Sequence, residues 1–332
     1  MTSKITFILL IFSFLITHAQ TLKGKVLDAT TKAPIESVSV YFDNTTIGTT
    51  TNDLGEFSIT YNDAVQSTLV ISFLGYNKVF ITDYRQKENI TIELNEAFTQ
   101  LDEVVINTDD GMSRAVKLKW FRKEFLGKSS NGKSCKILNE EDIKLRFDKR
   151  KRTIVAWSNT SIIINNKNLQ YEISFDIIDF EIQLGNFNAT SVMYSGTCFY
   201  KDLDKKQTKK ITRKREKAYK GSVQHFIRAL YNKDVEAQDY VFGKKGFVVK
   251  PYDFITISEA DSEGLKSVKL LDKTLDIFYK DVKESVIETR VEKFYIDKYG
   301  NYFPIESVLF GGYLGRQRLG DVLPLDYGIV DN

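Results

Sequence analysis

Histidine, cysteine and long apolar runs are scarce in this chain, and each scarcity excludes something. There are two histidines in 332 residues, His18 and His225. His18 sits in a stretch that reads as a cleaved leader, which leaves His225 alone in the mature chain. A peptidase-type zinc site with two histidines and a carboxylate cannot be built from one histidine. A Ser-His-Asp triad would have to use His225, and no G-x-S-x-G elbow accompanies it. A Cys-His pair through His225 needs Cys135 or Cys198 to meet it by folding alone. No phosphate-binding loop or dinucleotide fingerprint appears. After the first twenty residues, no stretch is long and apolar enough to cross a bilayer as a helix.

The two cysteines are Cys135 and Cys198. An exported compartment permits a disulfide between them, and two separate buried thiols are the plainer reading. Export itself is read from the N-terminus. Lys4 supplies a positive charge, Ile5 to Ile16 is apolar except for Thr6 and Ser13, and Ala19 is a small residue suited to cleavage. The run is shorter than the ~20 residues of a spanning helix. No cysteine follows it to carry a lipid. The expectation is residues 1–19 as a signal peptide and a mature chain from Gln20, periplasmic or associated with the outer membrane.

Proline is also rare, with four residues, whereas Tyr and Phe number 17 and 23. Aromatic and β-branched residues favour strands, so a mainly β chain is expected. Charge divides it. Residues 21–107 carry 6 Lys/Arg against 12 Asp/Glu, and residues 108–332 carry 40 against 32. The change of sign places a boundary near residue 107.

In the acidic part, short strand signals recur: Leu22–Leu27, Val38–Phe42, Ile47–Thr50, Glu56–Thr60, Leu69–Phe73, Asn77–Ile81 and Ile90–Leu94. Asn52 to Gly55 reads as a tight turn, with Gly55 free to take positive φ. About seven short strands with turns every 8–12 residues argue an immunoglobulin-like sandwich over residues 20–107.

Three motifs there occur in a familiar order. Gly24-Lys25-Val26-Leu27-Asp28 with Ala33-Pro34-Ile35, then Gly48 to Phe57, then Phe73-Leu74-Gly75-Tyr76, resemble the pattern of carboxypeptidase-regulatory-like domains. The resemblance implies a transthyretin-like β-sandwich that serves as an interaction module in Gram-negative envelope proteins. Leu101 to Ile106 resembles the segment that joins this module to the plug of TonB-dependent receptors. Only 226 residues follow Ile106, too few for a plug and a roughly 22-stranded barrel. The expectation is the module without the transporter.

Residues 108–332 read as an α+β region of mostly antiparallel strands with two helices. The first spans about residues 112–126, with Val116, Trp120, Phe121 and Phe125 on an apolar face and Lys117, Lys119, Arg122, Lys123 and Glu124 largely opposite. A packing helix is its default, and a membrane-surface helix the alternative. The second begins at the cap Ser222 and places Val223, Phe226, Ile227 and Leu230 on one face. Four patches, Trp120 to Gly127, Cys135 to Asn139, Tyr219 to Phe226 and Gly315 to Tyr327, resemble patches in uncharacterised envelope proteins that carry the same module.

The strongest compositional feature is Lys201 to Lys220, with ten cations against three acids. Lys205, Lys206, Lys209, Lys210, Arg213, Lys214 and Arg215 form its centre. A second basic cluster holds Lys144, Arg146, Lys149, Arg150, Lys151 and Arg152. Export argues against nucleic acid as the target, whereas anionic head groups or acidic glycans would suit such surfaces. A solvated hairpin face is the default for the first cluster. Among carboxylates, Glu172, Asp176, Asp179 and Glu181 lie close in sequence and are candidates for a glycosidase pair, with solvated strand carboxylates as the default. Asn52-Asp53 is a candidate for calcium, although the EF-hand pattern is absent. The leading expectation is an exported, non-enzymatic binding or accessory protein without a cofactor and with an envelope protein or glycan as partner. The alternatives are a regulatory subunit of a separate peptidase or TonB-dependent transporter, and a carboxylate-based glycan hydrolase.

Overall fold

A computed structural model describes residues 19–62, 67–85, 87, 89–97, 110–204, 206, 208–280 and 282–329. The leader to residue 18, the segment Leu101–Ile106 and Lys205 lie outside the described residues. Among the described residues, three hydrophobic cores follow one another along the chain.

The first core is closed by two sheets. The strands are β1 (Ala19–Asp28), β2 (Ser39–Phe42), β3 (Gly48–Thr50), β4 (Glu56–Asn62), β5 (Leu69–Ser72), β6 (Val79–Ile81) and β7 (Asn89–Leu94). They form β4-β1-β7 and β3-β2-β5-β6. This is the seven-stranded sandwich expected for this stretch. The alternation of β7, with Ile90, Ile92 and Leu94 buried and the residues between exposed, shows why: a period of two puts one apolar face on the core. β5 buries Leu69, Val70 and Ile71 in succession because it is covered on both faces.

The motif residues hold the turns of this sandwich. Asp28 accepts hydrogen bonds from Thr30 N, Thr31 N and the Thr31 hydroxyl. Tyr76 from the third motif donates to the same carboxylate at 2.9 Å. These bonds, those from Thr31 foremost, hold the Asp28 carboxyl below its usual range. Asn52 Oδ1 accepts from Leu54 N and Glu56 N, and Gly55 takes φ +71°. Thr51 donates to Ile35 O and accepts from Val38 N.

The second core belongs to α1 (Arg114–Phe125), α2 (Ser130–Ser134), β8 (Cys135–Ile137), β9 (Lys144–Asp148), β10 (Thr153–Trp157), β11 (Ile162–Asn166), β12 (Tyr171–Leu184), β13 (Ala189–Asp202) and α3 (Lys209–Tyr219). β12 and β13 are a long hairpin. One edge of β12 pairs with β11 through its first half and with β10 through its second half. Phe121 and Phe125 of α1 stack on Phe180, Phe175 and Tyr194 of this hairpin. The expected apolar face of α1 is corrected in detail. Val116 is exposed, whereas Lys117 and Glu124 are buried beside Phe121 and Phe125. Lys117 is accommodated by an ion pair with Asp110 at 2.5 Å.

The third core lies under α4 (Val223–Asn232) and between two sheets. Their strands are β14 (Tyr240–Lys244), β15 (Phe247–Val249), β16 (Ile255–Ile257), β17 (Lys266–Leu270), β18 (Thr274–Tyr279), β19 (Lys283–Thr289), β20 (Phe294–Ile296), β21 (Tyr302–Phe303) and β22 (Val308–Gly311), followed by the short α5 (Gly312–Gly315). The orders are β15-β14-β18-β19-β22 and β16-β17-β20-β21, antiparallel throughout. The mainly β, antiparallel character expected from the sequence therefore holds. Among the described residues, the region read with two helices has five, and its core is divided in two.

The units are tied together. The loop after β2 lies along β13: Asn44 N donates to Cys198 O and Tyr200 N to Thr45 O. Residues 316–329 then run back from the third unit. Gly320 N donates to Leu126 O, Leu325 N to Asn44 O, and the Thr46 hydroxyl to Asp326.

Candidate functional site

The expected basic region folds as a helix, not as a hairpin face. Thr208 caps α3 by accepting from Ile211 N. Lys206 ahead of the helix is exposed, as are Lys209, Lys210 and Arg213 on it. Arg215 is not available for any ligand, being 2% exposed. Its guanidinium donates to Leu169 O, Gln170 O and Asp202, and stacks 3.7 Å from the Tyr171 ring. Lys214 and Lys217 turn towards a cleft of about 690 Å³.

That cleft joins the end of α1, α2, α3 and residues 313–321. Its cations are Lys123, Lys128, Lys214, Lys217, Arg316 and Arg318, against the carboxylates Glu124 and Asp321. Glu124 is buried with Lys123 at 3.6 Å and Lys128 at 3.4 Å. Asp321 accepts from Ser129 Oγ at 2.6 Å and Asn131 Nδ2 at 3.3 Å. Burial nevertheless pushes its pKa up. Lys214 donates to Asn168 Oδ1 at 2.8 Å. Among the described residues, Lys214, Lys217, Arg316 and Arg318 make no ion pair. Arg318 Nε is buried and has no acceptor. The concavity therefore carries an excess of positive charge, with Arg318 Nη1 donating to Gly315 O and Gln317 O.

Glycines let the walls meet. A Cβ on Gly132 would lie 2.4 Å from Leu126 O, and one on Gly320 would lie 2.5 Å from the same oxygen. Backbone contact between the end of α1, α2 and the closing segment is possible only without side chains there. Two of the four patches named from the sequence, Trp120 to Gly127 and Gly315 to Tyr327, thus come together at this cleft.

The other candidates are dispersed. Of the two readings of the cysteines, a disulfide or two separate thiols, the structure has the second: Cys135 and Cys198 are free thiols. Cys135 lies on β8 and Cys198 on β13, with β11 and β12 between. Three ladder spacings of about 4.8 Å each exceed the ~7 Å limit between bridged Cα atoms. Burial pushes the Cys135 thiol up to about 12 and Cys198 well above its usual range. His225 is buried and bonded at both ring nitrogens. Its Nδ1 accepts from Gly221 N at 3.1 Å, so Nε2 carries the proton towards Gln238 Oε1. Burial lowers its pKa.

Of the four strand carboxylates, Asp179 and Glu181 are exposed and Glu172 is half-buried opposite Lys201. Asp176 is buried where the first unit meets the second. It takes an ion pair from Lys78 at 2.5 Å, and hydrogen bonds from Ser161 Oγ at 2.6 Å and Tyr41 OH at 3.2 Å. Nearby Asp43 accepts from Cys198 N at 2.7 Å, and burial raises its pKa to about 6. Asp43 and Asp176 thus serve the contact between the first and second units.

The chain is thus a β-sandwich module carried in front of a larger α+β body with a basic cleft. Residues 22–106, the stretch of the first unit, match the family model described as CarboxypepD_reg-like domain. No curated protein matches the chain.

Proposed function

We propose that this chain is an exported, non-enzymatic binding protein of the cell envelope, and that its cleft takes an acidic glycan segment. One observation carries the reading: Lys214, Lys217, Arg316 and Arg318 line one cleft, and among the described residues none of them has an ion-paired carboxylate. The polar lining of Ser129, Ser130, Asn131 and Asn168 suits sugar hydroxyls. The CarboxypepD_reg-like domain adds a module of a regulatory or binding kind. Export is supported by Lys4, the apolar run and Ala19. Cleavage after Ala19 would remove only the outermost pair of the β1–β4 ladder, Ala19 with Asn62, and would leave Gln20 paired with Tyr61.

Titration calorimetry with a short oligomer of uronic acids tests the reading. Micromolar to millimolar binding is expected, absent with a neutral oligomer of equal length. The combined change Lys214→Glu, Lys217→Glu and Arg316→Glu is expected to weaken it at least about tenfold. Equal binding by parent and triple variant, or no heat with any uronic-acid oligomer, would refute it. Glu124 and Asp321 line the same cleft, and this favours a carboxylate hydrolase as the second reading. New reducing ends that form with the parent and not with Asp321→Asn would turn the assignment to that reading.

A further inference from the structure

The second basic cluster acquires a partner through the fold. β9 and β10 are joined by the turn Lys149-Arg150-Lys151-Arg152, all four exposed. Asp148 closes this turn by accepting from Arg150 N at 2.9 Å and Lys151 N at 3.0 Å. Among the described residues none of the four cations makes an ion pair. Beside it stands the tip of the β12–β13 hairpin, closed by Gly185 N donating to Asn188 O at 2.8 Å. Phe187 at this tip is 90% exposed, the most exposed large apolar side chain among the described residues.

The two turns are fastened to each other. Arg152 Nη2 donates to Gly185 O at 2.9 Å and Nη1 to Asn186 Oδ1 at 3.4 Å. Leu184 N donates to Arg152 O, and Gln183 Nε2 to Lys151 O. Phe187 is therefore presented on a braced tip next to Lys149, Arg150 and Lys151, not on a free loop.

We propose that this pair of turns docks the protein on an anionic bilayer surface, with Phe187 in the head-group layer and the flanking cations on lipid phosphates. An aromatic ring prefers the boundary between head groups and acyl chains, and neighbouring cations gain from the negative surface potential. An acidic glycan offers the charge without an apolar layer to receive the ring. A protein partner of ordinary affinity covers roughly 800 Å², whereas a hairpin tip offers a few side chains. The surface lies on different elements from the cleft, so the two assignments stand or fall separately.

Co-sedimentation with vesicles tests this, using the chain from Gln20 onward so that the leader contributes nothing. The vesicles are phosphatidylcholine with or without about one part in three phosphatidylglycerol. Binding to the anionic vesicles alone is expected, and it should fall steeply towards about 0.5 M NaCl. Phe187→Ser is expected to weaken it at least about fivefold, and Phe187→Trp to retain it. Lys149→Glu with Lys151→Glu should abolish it. Lys209→Glu with Lys210→Glu on α3, the same change of net charge elsewhere, should leave it intact. The proposal is overturned by parental binding of Phe187→Ser, by equal loss from the α3 reversal, or by capture on an acidic polysaccharide without capture on vesicles. All the altered residues are exposed, and an unchanged melting temperature checks the fold of each variant.

Discussion

At the scale of single residues, two titrating groups pull stability in opposite directions near neutral pH. Asp43 sits at the contact between the first and second units with its pKa raised to about 6 by burial. The native state then holds the proton more tightly than the unfolded chain, whose carboxyl titrates near 3.9. This group's contribution is fully present below pH 4 and is lost as pH rises through about 6. Asp43→Asn keeps an acceptor for Cys198 N and removes the charge. It is expected to be about 1–3 kcal/mol more stable than the parent at pH 7.5, with the gap closing below pH 4. Chemical denaturation across that range measures the gap, and a constant gap would show that the charge is not its origin. His225 acts with the other sign. Its pKa is lowered, chiefly by burial, so stability is present above pH 6.5 and is lost as pH falls towards the native pKa, because the buried ring resists taking the charge. A melting temperature that falls between pH 7 and 6 in Asp43→Asn, where His225 no longer competes with Asp43, checks this.

Among the elements, α3 is the most informative because its packing stripe is not apolar. Only Ile211 and Arg215 are buried on it. A search for apolar residues at helical spacing finds nothing in Lys-Lys-Ile-Thr-Arg-Lys-Arg-Glu-Lys-Ala-Tyr. The helix is secured by its Thr208 cap and by one guanidinium that binds two carbonyls, a carboxylate and a ring face. Arg215→Ala is expected to cost about 2–3 kcal/mol, since hydrogen bonds to a charged group are each stronger than neutral ones and Asp202 stays partly hydrated. Arg215→Lys should recover less than half, because an ammonium cannot make the planar, forked contacts. Urea denaturation of both variants measures this, and an Arg215→Lys protein as stable as the parent would contradict the forked role.

On the scale of the whole molecule, residues 316–329 hold three cores together. Arg228 of α4 donates to Tyr299 O, Leu325 O and Tyr327 O, while Asn166 of β11 donates to Gly320 O. The segment passes Gly132 with no room for a side chain at Gly320. Gly320→Val is expected to lift it from the second unit at a cost of about 1–3 kcal/mol. Limited proteolysis should then cut between residues 316 and 329 at enzyme concentrations that leave the parent whole. Because the same segment supplies Arg316, Arg318 and Asp321 to the cleft, uronic-acid binding should weaken with it. Unchanged cutting and binding would show that the strap is not what shapes the cleft.

Local pattern alone determined the sandwich: the alternation in β7, the continuous run in β5 and the turn chemistry of Asn52 and Gly55 are properties of neighbours in sequence. It also determined α4, whose Phe226, Ile227 and Leu230 repeat at helical spacing, and the position of the charge boundary. Pattern failed where polar residues fill buried positions. β19 hides Ser285 and Thr289 on its core side, and α3 hides Arg215. It failed again where the partner is remote, as in the reversal of Lys117 and Glu124 from the solvent face of α1 to the buried one. Single basic residues could be counted, but not sorted. Only the packing of α3 against β12 decided that Arg215 is structural while Lys214 faces a cleft. Likewise, only the ladder order decided that Cys135 and Cys198 stand apart. Sequence dictates what each segment prefers within a turn or two of itself. Which distant charges share a cleft is set by long-range packing, where the cost of burying a charge depends on partners far away along the chain.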